Sequence, residues 1–121
     1  MITFLTNLKI ADNTGVLNVQ CIKVLGGHKM RVAISGKPIV TALKKVRPRK
    51  KFKKGEVAKV LVLSTKNRFR RNSGFIINSN KNTGLILNDG FAPVANRVTG
   101  AVPHEVRAKY NRGYLLTRKN Y

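Results

Sequence analysis

Apolar residues occur along the chain in short runs that are separated by glycine, proline and asparagine. Such runs are typical of β-strands, because an amphipathic helix would repeat its apolar positions every three to four residues over a longer stretch. We therefore predict strands at residues 16–25, 31–34, 39–46, 57–65, 75–78 and 85–88. The segment 57–63 is almost continuously apolar, which indicates a central strand.

The first predicted strand changes its alternation part-way. Leu17, Val19 and Cys21 occupy every second position, after which Ile22 and Val24 continue on the other parity. A one-residue change of parity moves side chains to the other face of a sheet, so it predicts a β-bulge or a barrel corner. Cys21 is the only cysteine, so no internal disulfide can form, and we predict that it is a core residue in a reducing compartment.

Turn and helix signals complete the predicted architecture. The sequence Asn72-Ser73-Gly74 predicts a hairpin, and Pro103 and Glu105 predict a helix that begins near residue 103 and ends at about Arg112, before Gly113. Many short strands with one helical tail favour a predominantly all-β fold, a small closed or nearly closed β-barrel. The length fits a single domain over residues 1–121, with the barrel at about 1–102 and the helical tail at about 103–121.

The charge of the chain indicates that the predicted barrel binds a polyanion. The chain has 25 Lys and Arg against 4 Asp and Glu, a formal net charge of +21 on 121 residues. Such a charge repels itself unless a dense array of phosphates neutralises it. The 42% of hydrophobic residues excludes a disordered basic tail. Nucleic acid is the first hypothesis, and an anionic membrane surface is the competing one.

Residues 44–54, which we call the basic loop, carry the highest density of charge. They read Lys-Lys-Val-Arg-Pro-Arg-Lys-Lys-Phe-Lys-Lys and lie between two predicted strands. Pro48 restricts the backbone and Phe52 offers a packing group, so we predict an ordered loop and not a mobile arm. Arg suits bidentate phosphate contacts and Lys supplies point charge. A charge run can also be a solvated face, but RNA or DNA contact is the interpretation we favour.

The sequence offers little to catalysis, metal binding or membranes. The four acids stand singly, and neither metal-ligand spacing nor a phosphate-cradling glycine loop occurs, so we predict no enzyme activity, no metal and no cofactor. His28 and His104 are expected to be surface or RNA-facing residues and not general bases. No basic amphipathic helix is apparent, and the longest uncharged run has ten residues, 13–22, so no membrane partner is expected.

Several short motifs follow one another along nearly the whole chain. They are Ala11-Asp12-Asn13-Thr14-Gly15, Cys21-Ile22-Lys23-Val24-Leu25-Gly26-Gly27, Pro48-Arg49-Lys50-Lys51-Phe52-Lys53-Lys54-Gly55-Glu56, Thr65-Lys66, Arg70-Arg71 and Glu105-Val106-Arg107. In order and spacing these motifs resemble the universal large-subunit ribosomal protein family L-fourteen. The resemblance implies a five-stranded β-barrel with a protruding β-ribbon and short C-terminal helices, held on large-subunit ribosomal RNA.

The resemblance also implies a set of partners. Family members lie at the subunit interface, where they bridge to small-subunit ribosomal RNA and touch ribosomal proteins of the L-nineteen and L-three families. In many bacteria and organelles a ribosome silencing factor binds the same surface. Two stretches depart from the family pattern: Ser79-Asn80-Lys81-Asn82-Thr83 replaces Phe-Asp-x-Asn-Ala, and Ala95-Asn96-Arg97-Val98-Thr99-Gly100-Ala101-Val102 replaces Gly-Thr-Arg-Ile-Phe-Gly-Pro-Val.

We expect a ribosomal protein of the large subunit, and the scarcity of acids, the twelve asparagines and the divergent motifs favour a mitochondrial matrix location over a bacterial cytoplasm or a plastid. The alternative is a free-standing basic barrel that binds RNA as a chaperone or translation factor. Arg97 and Arg107 are the predicted intersubunit or factor-facing residues. The predicted RNA contacts are Asn13, Lys23, Lys44, Lys45, Arg47, Arg49, Lys50, Lys51, Lys53, Lys54, Lys66, Arg68, Arg70 and Arg71.

Overall fold

Five strands close into a barrel. The structure, a computed structural model, describes residues 1–121. The barrel strands are β1 (Asn7–Ile10), β2 (Val16–Val24), β3 (Pro38–Val46), β4 (Val57–Ser64) and β7 (Thr83–Leu87). They follow one another around the barrel in that order, and β7 returns to pair with β1. The predicted fold class, a mostly β protein built on a small five-stranded barrel, is confirmed.

The other elements are short and lie outside the barrel. Strands β5 (Phe69–Arg70) and β6 (Ile76–Ile77) form an antiparallel ribbon between β4 and β7, as predicted for the hairpin around Ser73. Strands β8 (Val98–Val102) and β9 (Thr117–Asn120) pair in parallel. Between them are a 3₁₀ helix (His104–Val106) and the helix α1 (Asn111–Leu115). Neither helix has the length and apolar composition that a membrane span requires.

Strand β4 is buried on both faces, because two hydrophobic clusters pack against it. Val60 and Val62 point into the barrel interior, where they join residues such as Val19 and Ile39. The alternate residues Leu61 and Leu63 belong to a second cluster with Leu85, Val98, Val102 and Val106. We call residues 98–121, from β8 to the last residue, the C-terminal segment. The barrel core covers one face of β4 and the C-terminal segment covers the other, which explains the continuous apolar run at 57–63.

The predicted irregularity in β2 is present. The register of β2 against β3 shifts between Cys21 and Lys23, which is a β-bulge. The bulge leaves both Ile22 and Lys23 exposed and returns Val24 to the interior. Ile22 is exposed although it shares the parity of the buried Val24, because the residues of the bulge face outward. Cys21 is fully buried, which confirms its place in the core.

Three predictions of secondary structure were wrong or incomplete. Residues 31–34 do not form a strand: only Ala33 makes a bridge, to Ile2. Strand β1 was missed because a four-residue strand with a single buried position, Leu8, gives almost no alternation signal. Strands β8 and β9 were also missed, the latter because its sequence Thr-Arg-Lys-Asn is polar and its pairing uses main-chain groups.

The helix predicted from residue 103 to about Arg112 is wrong in its extent. The chain forms a single 3₁₀ turn at His104–Val106, turns again, and only then enters α1 at Asn111. Gly113, taken as a stop signal, lies inside α1. A Cβ at this position would stand 3.1 Å from a Leu85 methyl group, so glycine allows α1 to pack closely on the barrel.

Candidate nucleic-acid interface

The basic loop is held in place at both of its ends and in its middle. The amide of Arg47 donates to the carbonyl of Gly15 (2.9 Å), and the amide of Gly55 donates to the carbonyl of Leu43 (2.8 Å). The half-buried Phe52 ring packs against the barrel core. These contacts confirm the prediction of an ordered loop with a packing aromatic group. Its cations therefore extend from a fixed backbone, which lowers the conformational entropy cost of binding.

One lysine of the loop also packs on the neighbouring turn between β1 and β2. A Cβ on Gly15 would lie only 2.5 Å from Cγ of Lys50, and Gly15 has φ +93°. Both the space and the backbone conformation therefore require glycine at position 15. The stem of Lys50 covers this turn while the residue as a whole remains exposed, as is common for long cationic side chains.

This packing brings three predicted RNA contacts together. Asn13, Arg47 and Lys50 line one open concavity of about 470 Å³. Its lining also includes Asp12, whose carboxylate already has partners within the chain: one oxygen accepts from the amide and hydroxyl of Thr14, and the other accepts from the amide of Ile86 (3.0 Å). The concavity thus offers two cations and an exposed amide side chain to a ligand.

The ribbon divides its arginines between two environments. Arg68 and Arg70 are exposed. Arg71 instead donates through Nε and Nη2 to the two carboxylate oxygens of Glu105, and Nη2 also donates to a main-chain oxygen of Tyr121 (2.6 Å). We call this arrangement the Arg71–Glu105 clamp. Because the guanidinium already has anionic and carbonyl partners, Arg71 differs from the other predicted RNA contacts.

The clamp changes the acidity of Glu105. Burial alone would raise the pKa of this carboxyl group, but hydrogen bonds from Arg71 and from the Glu105 main chain, together with the nearby positive charges, lower its pKa below the ordinary value of 4.5. Glu105 therefore stays ionised at neutral pH. The clamp joins the ribbon to the C-terminal segment over a separation of 34 residues.

Other predicted contacts lie apart from the basic loop. Lys23 stands at the β2 bulge and lines a concavity with Arg31, a neighbour that the sequence did not single out. Lys66 lines a different concavity, with Lys9 and Lys81. The structure thus distributes the predicted RNA contacts over several parts of the surface. Lys9 was not among the predicted contacts because β1, the strand that carries it, was not predicted.

The two residues predicted to face the small subunit flank the second hydrophobic cluster. Arg97 is exposed and immediately precedes the buried Val98. Arg107 is exposed, follows the buried Val106, and lies over the Tyr114 ring with its guanidinium carbon 5.9 Å from the ring centre. This cation–π contact gives Arg107 a defined direction at the surface.

Nearly all cations lack an acidic partner inside the chain. Among Lys and Arg, only Lys59, with Asp89, and Arg71, with Glu105, form ion pairs. The two remaining acids also bind within the chain: Asp12 as described, and Glu56 by accepting from the amide of Lys53 (3.1 Å). No cluster of three or more His, Cys, Asp or Glu side chains is present. The surface is therefore an unpaired cationic one.

Comparison with protein families decides the class of this cationic barrel. The family model described as ribosomal protein L14p/L23e matches residues 1–119. The chain belongs to this family. As an L14p/L23e member it is a structural protein of the large ribosomal subunit and not an enzyme, which confirms the predicted family and the predicted absence of catalysis. The match includes the C-terminal segment that covers β4.

Proposed function

We propose that the chain anchors itself in the large subunit by binding ribosomal RNA through the basic loop and the exposed arginines of the ribbon. The observation that carries this proposal is the near-complete absence of internal ion pairs in a chain of net charge +21. A phosphate array supplies the missing counter-charge, and release of the RNA counterions favours association. Membership of a ribosomal family favours this function over the alternative of a free-standing RNA chaperone.

The RNA contacts fall into groups that share a position in the fold. Arg71 is left out because the clamp occupies its guanidinium. Lys23 and Lys66 act as separate anchors. The main group lies on the basic loop, with Asn13 beside it: Asn13, Lys44, Lys45, Arg47, Arg49, Lys50, Lys51, Lys53 and Lys54. Arg68 and Arg70 lie on the ribbon, which follows the opposite end of β4.

The remaining partners follow from the family resemblance. Arg97 and Arg107 face the intersubunit space and contact small-subunit ribosomal RNA, and a ribosome silencing factor is a further ligand of the same surface. Ribosomal proteins of the L-nineteen and L-three families are the neighbours in the large subunit. The scarcity of acids and the divergent segment at residues 95–102 favour a mitochondrial ribosome, with bacterial and plastid ribosomes as alternatives.

Removing three cations from the basic loop tests the anchoring role. We expect the triple substitution Arg49→Ala, Lys50→Ala and Lys51→Ala to weaken binding to a structured ribosomal RNA fragment. The slope of log affinity against log salt should fall by about 0.7 to 0.9 for each phosphate that the variant no longer neutralises. The measurement is a salt titration of RNA affinity with the purified full-length chain.

A control that removes the same amount of charge separates position from net charge. The substitutions Lys29→Ala, Arg118→Ala and Lys119→Ala remove three exposed cations that lie outside the basic loop, the ribbon and the group around Arg97 and Arg107. We expect a smaller change in slope for this variant. An equal change in both variants, or an unchanged slope in the loop variant, would contradict the assignment. In lysates, the wild-type chain should stay with large subunits during sedimentation at high salt.

A further inference from the structure

A second cationic site lies outside the basic loop, on the outer surface of β1 and β2. Asn7 and Lys9 alternate around the buried Leu8, so both face outward, and Asn18 on β2 is the direct cross-strand partner of Lys9. The parallel pair of β1 with β7 places Thr83 opposite Lys9. This register brings the loop that precedes β7, residues 80–82, to the same surface. Together these elements enclose a concavity of about 380 Å³, which we call the Asn–Lys pocket.

The walls of the pocket are fixed by main-chain contacts. The amide of Lys9 donates to the carbonyl of Asn82 (3.0 Å), and the amide of Lys66 donates to the side-chain oxygen of Asn82 (2.9 Å). On the far side of the loop, the hydroxyl of Ser64 donates to the carbonyl of Lys81 (3.2 Å). The pocket therefore exists before any ligand binds, and its volume lies within the range of about 300–1,000 Å³ that is usual for ligand sites.

The lining has an unusual chemistry. Apart from the buried Leu8, it consists only of asparagine and lysine: four asparagines, at positions 7, 18, 80 and 82, and three lysines, at positions 9, 66 and 81. No carboxylate neutralises the lysines. The oxygen of Asn82 already accepts one hydrogen bond, which fixes the orientation of this side chain, and all four asparagine amides can both donate and accept. A ligand for this pocket is an anion that also presents several hydrogen-bonding groups.

The pocket is connected to the basic loop by a cross-strand row. Lys9, Asn18 and Lys45 are direct partners on β1, β2 and β3, and all three are exposed. Such neighbours stand about 4.5–5.5 Å apart, so the row spans roughly 10 Å between the pocket and the first part of the loop. On its other side, Asn80 and Lys81 also line the next concavity, of about 440 Å³. A polyanionic strand therefore finds continuous cationic and amide groups across this surface.

We propose that the Asn–Lys pocket binds one unpaired nucleotide of RNA. The asparagine amides hold the base edge, and Lys9, Lys66 and Lys81 bind the flanking phosphates. In single-stranded RNA the base edges are open to side chains. Asparagine forms a bidentate pair with N6 and N7 of adenine, and a pyrimidine has no N7 to offer. The pocket has no aromatic residue for stacking, so hydrogen bonds make the discrimination. This inference rests on the proposed function, and it names a nucleotide-recognising subsite within it.

The test uses the full-length chain and six-nucleotide RNA homopolymers of A, U and C. We expect the A homopolymer to bind about tenfold more tightly than the U homopolymer, the effect of one good amide–base pair. The double variant Asn18→Thr, Asn80→Ala should bring this ratio towards one, and Lys81→Ala should weaken binding to all three homopolymers alike. The double variant Asn96→Ala, Asn111→Ala removes two exposed asparagines outside the pocket and should keep the wild-type ratio. Thermal melting checks that every variant is folded.

The outcomes separate this inference from the proposed function. Equal affinity for the three homopolymers would overturn the pocket assignment. An A-to-U affinity ratio that is unchanged by the Asn18 and Asn80 substitutions would overturn it as well. In both cases, steep salt-dependent binding to structured RNA would still support the proposed function. Absence of binding to any RNA would overturn both. Adenosine monophosphate and inorganic phosphate serve as separate probes: if either binds as tightly as the A homopolymer, the site is one for a free nucleotide or a phosphate ion and not for an RNA strand.

Discussion

Asp12 is one of only four acids in the chain, and its carboxylate has a structural role. Its two oxygens accept hydrogen bonds from Thr14 and from the amide of Ile86, so it ties the turn after β1 to strand β7. A charged acceptor of main-chain N–H groups forms a stronger bond than a neutral one. The role of Asp12 is therefore to fix the turn that carries Asn13, and the exposed surface around it stays cationic.

At the scale of single residues, the barrel wall depends on Gly84 in β7. A Cβ at this position would lie 2.5 Å from a methyl carbon of Val60 and 3.3 Å from the carbonyl oxygen of Leu61. We expect Gly84→Ala to lower the free energy of unfolding by about 1–3 kcal/mol, the usual effect of overpacking a core. Denaturant unfolding measures the change.

The exposed Gly90 provides the matched control for this substitution. A Cβ there would meet only the Asn88 side-chain oxygen, at an ordinary distance of 3.5 Å. We expect Gly90→Ala to change the free energy of unfolding by less than about 0.5 kcal/mol. Similar decreases in the free energy of unfolding of the two variants would show that the close contacts at position 84 do not cause the loss of stability.

Sequence patterns predicted the elements that have a buried periodicity and missed those that lack one. The parity change around Cys21 located the β2 bulge because a bulge alters the alternation itself. Strand β9 has no apolar residue, so only its main-chain pairing with β8 reveals it. The dense cations of the basic loop were visible in the sequence. The Arg71–Glu105 clamp was not, because its partners are 34 residues apart and become neighbours only when the C-terminal segment folds back on the ribbon.

At the scale of elements, the clamp joins the ribbon to the C-terminal segment and should depend on pH. The pKa of Glu105 is lowered in the folded chain, so the clamp stabilises the fold above the unfolded value of 4.5 and loses its effect as pH falls through the lower folded value. We expect Glu105→Gln to be less stable than the wild type at pH 7, with a difference that shrinks below about pH 4.5. Unfolding measured from pH 7 to pH 3 gives this difference.

The pair between Lys59 and Asp89 is a suitable comparison for the clamp. The Asp89 side chain is fully exposed, so solvent screens its contact with Lys59 and the pair contributes little. Asp89→Asn should therefore leave stability almost unchanged at every pH. If Glu105→Gln behaves in the same way, the clamp does not stabilise the packing of the C-terminal segment.

For the whole molecule, the placement of cations suggests more than one RNA-facing surface. Through Phe52, the basic loop packs on the hydrophobic cluster in the barrel interior. Arg97 and Arg107 instead flank members of the second hydrophobic cluster, between β4 and the C-terminal segment. A barrel that served one RNA would need cations around only one of these clusters. The C-terminal segment adds the exposed Lys109 and Arg112, which have no acidic partner within the chain. This placement is the one that the proposed contact with small-subunit ribosomal RNA requires.

Charge reversal at Arg97 and Arg107 tests the two-surface arrangement. We expect the double variant Arg97→Glu, Arg107→Glu to enter large subunits normally, because its basic loop is intact. The variant should reduce joining of the two subunits at moderate salt, because two cations become anions next to phosphates. Sucrose-gradient sedimentation measures both steps, and Lys50→Glu with Lys51→Glu is the reciprocal control, which should impair incorporation first. If the Arg97 and Arg107 variant instead drops out of large subunits while the subunits that retain it join normally, these residues belong to the anchoring surface, and the second surface does not exist.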